Sequence, residues 1–508
     1  SFERIDYASP PLSPPFPPPP PPSLPPAPPL PPSPPGPPPA PPPPPVFQTR
    51  SGYALVDTIA GPVHDVAMST DGTRIALGQY FNRGCGSNNE CGGPTGSLRV
   101  YELTGGSPRW VQAGYMPTDN SVQFSYGDQV ALNADGTVIA VWAIPTATGT
   151  SGYSSLKVYE VASGSDAWTQ RGQTLLHGPA SEGPYDHVSL SADGTIIAHG
   201  NRDVGVEEGS ITVHKWNGAS WAQLGQVVAA ADIFSYEAGR RQSLGERVDL
   251  SADGLTFIAQ SAYNRPISSE SPTGVVIVMA YNASSELWEE KGNRIYGDAQ
   301  GWYITDGEQG VSISADGTRI AIGGNAAPAN GQSTAGMARV LDYNASSNLW
   351  VPKGADLFGT SSSGAVGRAV RLSADGATLA VGYGLNHIVG GHLIEMFAFD
   401  DSANKWTSLN PVKIVGTYVG MSGDGSRVAI PTSTGNSDYA AASVYVYEEV
   451  RHESPPPSPP FPPSPPPSLP PAPPPPPLTP PPFFPPMPPS SPPSTPPDPP
   501  APPSPPLH

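Results

Sequence analysis

The phrase Val-x-Leu-Ser-Ala-Asp-Gly-Thr-x-Ile-Ala recurs through the middle of the chain, marked by Asp71, Asp135, Asp193, Asp253, Asp316, Asp375 and Asp424. Successive copies stand 64, 58, 60, 63, 59 and 49 residues apart. That period is too long for one hairpin and suits a unit of four short strands with their loops. Within a copy, Val188, Leu190, Ile196 and Ala198 alternate around Asp193-Gly194. An Asp-Gly step between alternating apolar runs signals a hairpin, because glycine accepts positive φ. A third strand follows each hairpin, led by Ser97, Ser155, Ser210, Gly274, Gly336, Gly391 and Ser443. A fourth is marked by Trp110, Trp168, Trp221, Trp288, Trp350 and Trp406, usually with a glycine a few residues on.

The tryptophan strand is missing from the seventh copy, where the chain runs from SVYVY into a proline-rich segment. Before the first copy, Tyr53–Ile59 is followed by Gly-Pro, as the fourth strand of the second copy is. The N-terminal strand is therefore expected to complete the last unit and to remove the exposed edge that a ring cut between units would leave. The predicted fold is all-β, a seven-bladed β-propeller with its N-terminal strand closing blade seven, flanked by polyproline II tails. The predicted domains are 1–52, 53–450 and 451–508.

The tails follow from proline content. Of 73 prolines, 60 fall in residues 10–46 and 455–508, and the segment from Ser9 nearly repeats that from Ser454. Proline fixes φ, lacks a backbone donor and pushes its predecessor toward extended conformations, so helix and sheet ladders are excluded there. As polyproline II these stretches span about 115 Å and about 165 Å at ~3.1 Å per residue. Placing Ser9 on Ser454 also sets Phe2-Glu3-Arg4-Ile5 against Tyr447-Glu448-Glu449-Val450, the pattern expected if the chain is one period of a longer polymer. A net charge of −18 with 13% charged residues excludes binding to a nucleic-acid backbone, which needs clustered Lys and Arg. No apolar run approaches the ~20 residues of a membrane-spanning helix.

Few side chains suggest chemistry. Cys85 and Cys91, in the loop GCGSNNECGG, are expected to form a disulfide closing a small ring; two thiols or half of a metal site are the alternatives. Asn282-Ala-Ser and Asn344-Ala-Ser are N-glycosylation sequons, both placed between a third and a fourth strand. Carboxylates such as Asp186, Glu246 and Glu308, with His187, are candidates for a catalytic group, and the equivalent places of the three carboxylates just before successive first strands favour a structural role. His64, His177, His199, His214, His387 and His392 show no metal-ligand spacing and read as scattered strand or surface residues. The tryptophans, once per blade, read as core or inter-blade packing. No catalytic, metal or cofactor-binding residue is assigned, and an enzyme is not expected.

The Gly-x-x-Val-x-Leu-Ser-x-Asp-Gly-x-x-Ile-Ala-x-Gly frame, as in Gly307–Gly323, resembles the FG-GAP-type propellers related to the integrin α-subunit head, over residues 53–450. Calcium-binding members carry several spaced carboxylates in the first hairpin turn. Here one aspartate stands in each, so calcium is not expected there. The Ser-Pro-Pro-Pro blocks resemble hydroxyproline-rich glycoproteins of algal and plant cell walls, a likeness that implies hydroxylated and O-glycosylated prolines within 10–46 and 455–508. Together these imply a secreted, extracellular structural glycoprotein of a fibre, cell wall or surface appendage. Its expected partners are further copies of itself and covalent N- and O-glycans. The alternative is an adhesion or carbohydrate-binding propeller on proline-rich stalks.

Overall fold

The computed structural model describes residues 48–453 except 80–96, 108, 114–123, 146–152, 163, 180–186, 202–208, 235–242, 263–273, 298–308, 329–331, 333, 362–363, 387–390, 410–413, 417 and 434–440. Among them are seven antiparallel sheets of four or five strands and a single four-residue helix, Ala230–Ile233. The fold is an all-β, seven-bladed propeller. The first strands, in blade order, are Asp65–Met68, Phe124–Leu132, Val188–Leu190, Leu244–Leu250, Val311–Ile313, Val370–Leu372 and Gly420–Met421. Blade three shows the plan, with Val188–Leu190 paired to Ile196–Asn201, then Ser210–Trp216, then Trp221–Gln223, and the short Val228–Ala229 also on the third strand.

Each blade turns on one piece of local chemistry. In blade three the Ser191 hydroxyl donates to Asp193 at 2.6 Å, and Asp193 also accepts the Thr195 amide at 2.9 Å. The Ile196 amide donates back to Ser191 Oγ at 2.9 Å. Gly194, at φ +66°, closes the turn by donating to the Ser191 carbonyl. Positive φ without steric cost is why glycine follows the aspartate. Aspartates bonded in the same way occupy the other six turns.

The hydrophobic core is divided among the seams between blades. Ile196, Ile211 and Val213 of blade three pack with Leu244, Val248, Phe257 and Trp288 of blade four, and six further clusters join the other neighbouring pairs. No blade has a closed core of its own, so each is stable only between neighbours.

The tryptophans hold the outer part of these seams. The Trp288 indole N–H donates to the Leu224 carbonyl of blade three at 2.8 Å, and its backbone amide donates to Gln226 Oε1 at 2.8 Å. Trp221, Trp350 and Trp406 likewise donate backward to Arg171, Lys291 and Lys353. The glycines trailing Trp168, Trp221, Trp288 and Trp350 serve the next blade's ring. A Cβ on Gly225, at φ +71°, would stand 2.7 Å from Trp288 Cδ1. A cation beside that glycine also crosses the seam: Arg171 lies 4.9 Å from the Trp216 ring centroid, Lys291 4.9 Å from Tyr343 and Lys353 4.1 Å from Phe399.

The seventh sheet has the order Gln48–Val63, Ala441–Glu453, Arg427–Ser433, Gly420–Met421. Gln48 pairs with Glu453 and Val63 with Ala441, so both strands run a few residues past the 53 and 450 expected from sequence. Tyr53, opposite Glu449, takes the register of the tryptophans and is buried with Ile394, Met396 and Ile414 of blade six. The seam between blades seven and one carries charge as well: Arg109 grips Glu448 at 2.7 and 3.1 Å, Arg427 adds a bond to Glu448 at 2.8 Å, and Asp57 accepts the Arg109 amide.

Candidate functional site: the central channel

The inward-facing first strands line a cavity of about 160 Å3 along the ring axis. A belt of main-chain hydrogen bonds rings one end of it. Ala134 donates to the Ala192 carbonyl, Ala192 to Ala252, Ala252 to Ala315, Ala315 to Ala374, Ala374 to Gly423, and Gly423 to Thr70, at 2.7–2.9 Å, and Asp71 donates to Ala134 at 3.2 Å. Seven links join seven blades, with blade one contributing Thr70 and Asp71 where the others contribute a single residue. Small side chains are required where seven backbones converge. Thr70 and Gly423 depart from alanine together: a Cβ on Gly423 would stand 2.3 Å from Thr70 Cγ2, so the larger residue is matched by the smaller.

Polar groups from four blades meet deeper in the channel wall. Asp249 of blade four accepts the Ser189 hydroxyl of blade three at 3.1 Å, and from blade five the Ser312 hydroxyl at 3.2 Å and the Ile313 amide at 3.1 Å. Ser189 and Ser312 in turn accept the Leu250 and Leu372 amides, so one carboxylate staples four successive first strands. Arg371 of blade six reaches toward the same carboxylate, with Nη1 3.9 Å from Asp249 Oδ2. That contact exceeds hydrogen-bond distance, and among the described residues no other polar group meets the guanidinium.

His187 lines the channel beside this cluster. Its Nδ1 faces the Val248 carbonyl at 2.9 Å. A carbonyl only accepts, so Nδ1 carries the proton and Nε2 is left as an acceptor. Burial, with the charges of Arg247 and Arg371, pushes its pKa down to about 3, and the ring is neutral at physiological pH.

Several candidates from sequence take different places. Glu246 lies inside the first strand of blade four, not before it. A register shift between Leu244 and Arg247 accommodates Gly245, whose backbone packs against Gly200. Asp186, Glu308, Cys85, Cys91, His387 and the prolines of 10–46 and 455–508 lie outside the described residues, as does the side chain of His177. Asn282 and Asn344 end third strands, and each side-chain oxygen accepts an amide two residues on, from Ser284 and Ser346. Asn282 Nδ2 also donates to Glu289 at 3.0 Å.

The histidines are less scattered than the sequence suggests. His199 Nε2 and His214 Nδ1 lie 3.2 Å apart on stacked rings 5.1 Å between centroids, with Trp142 edge-on. They are diagonal neighbours on paired strands, a relation visible only once the register is known. Sequence reading also missed Asp249 and Arg371, which are 122 residues apart. Among the described residues no group of three or more His, Cys, Asp or Glu is placed to hold a metal ion. No helix among them is long and apolar enough to cross a membrane.

No family model matches the chain, and no curated protein matches it in sequence. Similar solved structures include a Kuenenia stuttgartiensis hydrazine synthase, 15% identical, covering 78% of this chain and 97% of that one at a TM-score of 0.45. A 6-phosphogluconolactonase candidate from Bacteroides fragilis is 13% identical over 72% of this chain and 88% of that one, at 0.45. The periplasmic gluconolactonase of Pseudomonas aeruginosa is 17% identical over 73% and 95%, at 0.44. At such identities the likeness concerns fold alone. It does correct one expectation: gluconolactonases are enzymes, so the reading of this chain as a non-enzyme does not stand.

Proposed function

We propose that the chain is a structural, secreted glycoprotein: an FG-GAP-like propeller carried as a bead on a proline-rich rod within a fibre, cell wall or surface appendage. The observation that carries this reading is the pairing of Gln48 with Glu453. The chain enters and leaves the ring through adjacent strands of blade seven, next in sequence to the two proline-rich segments. A pull along such a chain loads the long ladder between Gln48–Val63 and Ala441–Glu453, not the seams between blades.

Strand direction puts the sequon turns, the Asp-Gly turns and the two chain ends on one side of the ring. Glycans at Asn282 and Asn344 would therefore share a side with Gln48 and Glu453, and copies would associate through the proline-rich segments and their sugars.

Native material tests this by intact mass, glycopeptide mapping and electron microscopy. The reading requires a mass well above 52.7 kDa and filaments formed by the full chain but not by residues 48–453. A mass near the unmodified value, or tight binding of a specific glycan by monomeric full-length protein without filaments, overturns it; the latter outcome identifies an adhesion or carbohydrate-binding head instead.

A further inference from the structure

We propose that the central channel binds a small polyhydroxy carboxylate, with its carboxylate on the Arg371 guanidinium and one of its hydroxyls donating to His187 Nε2. Arg371 lines the cavity with a planar fork of donors, and its sole charged contact among the described residues is the 3.9 Å approach to Asp249. A guanidinium in a narrow cavity with unused donors is a place for a carboxylate, which it grips in two parallel bonds.

Asp249 holds those donors only loosely, at 3.9 Å. Its two oxygens already accept from Ser189, Ser312 and Ile313. The other wall carboxylate, Asp65, accepts the Val130 amide at 2.8 Å. Asp65 and Asp249, both in the lining, repel a dianionic phosphate about twice as strongly as a monoanion, which favours the singly charged ligand.

His187 supplies the second half of the specificity. Its protonated Nδ1 is committed to Val248, so Nε2 accepts from a hydroxyl. Burial, helped by the nearby arginines, keeps the ring neutral, and with it this acceptor. The cavity of about 160 Å3 compares with cavities of roughly 150 Å3 that take up benzene. A three-carbon hydroxy acid such as glycerate has benzene's bulk, one carboxylate and two hydroxyls. None of these residues belongs to the blade-seven edge on which the structural reading rests, so the two proposals stand or fall separately.

The test uses the full chain with D-glycerate, glycerol and inorganic phosphate as probes. Calorimetry gives affinity, and carbon-13-labelled histidine reports the His187 imidazole by NMR. Glycerate should shift the His187 resonances. Glycerol and phosphate should bind about tenfold more weakly or worse. Arg371→Gln should weaken glycerate by about tenfold or more at an unchanged melting temperature, and Arg371→Lys, which keeps the charge but loses the fork, by less. An unmoved His187 signal at millimolar glycerate in the wild-type protein overturns the proposal whatever the variants do. So does undiminished affinity in folded Arg371→Gln, or equal affinity for glycerol.

Discussion

The paired departure from alanine at Thr70 and Gly423 gives a sharp test of how the ring closes. Gly423 is not in the left-handed region of backbone space, so an alanine there meets no conformational penalty. By limiting the unfolded chain it would even stabilise the fold by about 0.4–1 kcal/mol. In place, however, its Cβ would stand 2.3 Å from Thr70 Cγ2 and 3.1 Å from the Thr70 carbonyl oxygen. Threonine is β-branched and stiff at χ1, and overpacking of this kind costs about 1–3 kcal/mol. Gly423→Ala alone should therefore destabilise by roughly 1–2 kcal/mol net. Thr70→Ala removes the obstructing methyl and restores the alanine pairing of the Ala134, Ala192, Ala252 and Ala315 links. The double variant should be as stable as wild type or slightly more so, a coupling of about 1–3 kcal/mol in the sense of mutual rescue. Urea unfolding followed by tryptophan emission and circular dichroism, with coincident transitions, measures it. For a domain of about 400 residues, ~2.1 cal/mol/K per residue makes each kcal/mol worth only ~1.2 °C in Tm, so denaturant midpoints are the better readout. A coupling below about 0.5 kcal/mol, within the spread of independent sites, would refute the steric account of the closing link.

Gly225→Ala should cost about 3–5 kcal/mol in the same assay, combining left-handed strain with the contact on Trp288, whereas Gly164→Ala, at φ +75° with open space around it, should cost only the strain of about 1–2 kcal/mol. Asp249→Asn should destabilise by about 1–3 kcal/mol, because an amide donor must face one of the three donors now bonded to the carboxylate. The folded pKa of His187 lies near 3, below its unfolded value, so its contribution to stability is complete above pH about 6.5 and is lost as pH falls toward 3. A plot of Tm against pH should slope upward across that window and flatten in His187→Gln; an identical slope in the variant would rule out His187 as its source. Glu448→Gln should cost about 1 kcal/mol at low salt and less at high salt, since both arginines holding it are partly exposed.

The blade count was legible because the turn that marks each blade is made from residues at most five apart. Ser, Asp and Gly satisfy one another inside the Ser-Ala-Asp-Gly turn, so a linear pattern carries the whole of its chemistry. Alternation around that turn was enough to place the paired strands of each hairpin, and one aromatic per repeat was enough to place the fourth. The tryptophan-glycine spacing was visible too, but its meaning was not: the glycine trailing Trp221 is there for Trp288, one blade further on.

Beyond the packing role expected of the tryptophans, the contacts that join blade to blade escaped the sequence, because a repeat period fixes spacing along the chain without fixing which atoms face each other across a seam. The cations over neighbouring aromatic rings, the belt of alanine amides and the reach of Arg371 toward Asp249 depend on the rotation between blades, and the stacked His199 and His214 on strand register within blade three. The repeats determined that a ring of seven similar sheets would form. The curvature of that ring alone brought Asp249, His187 and Arg371 to one small cavity, because only convergence on a common axis makes neighbours of side chains from blades three, four and six.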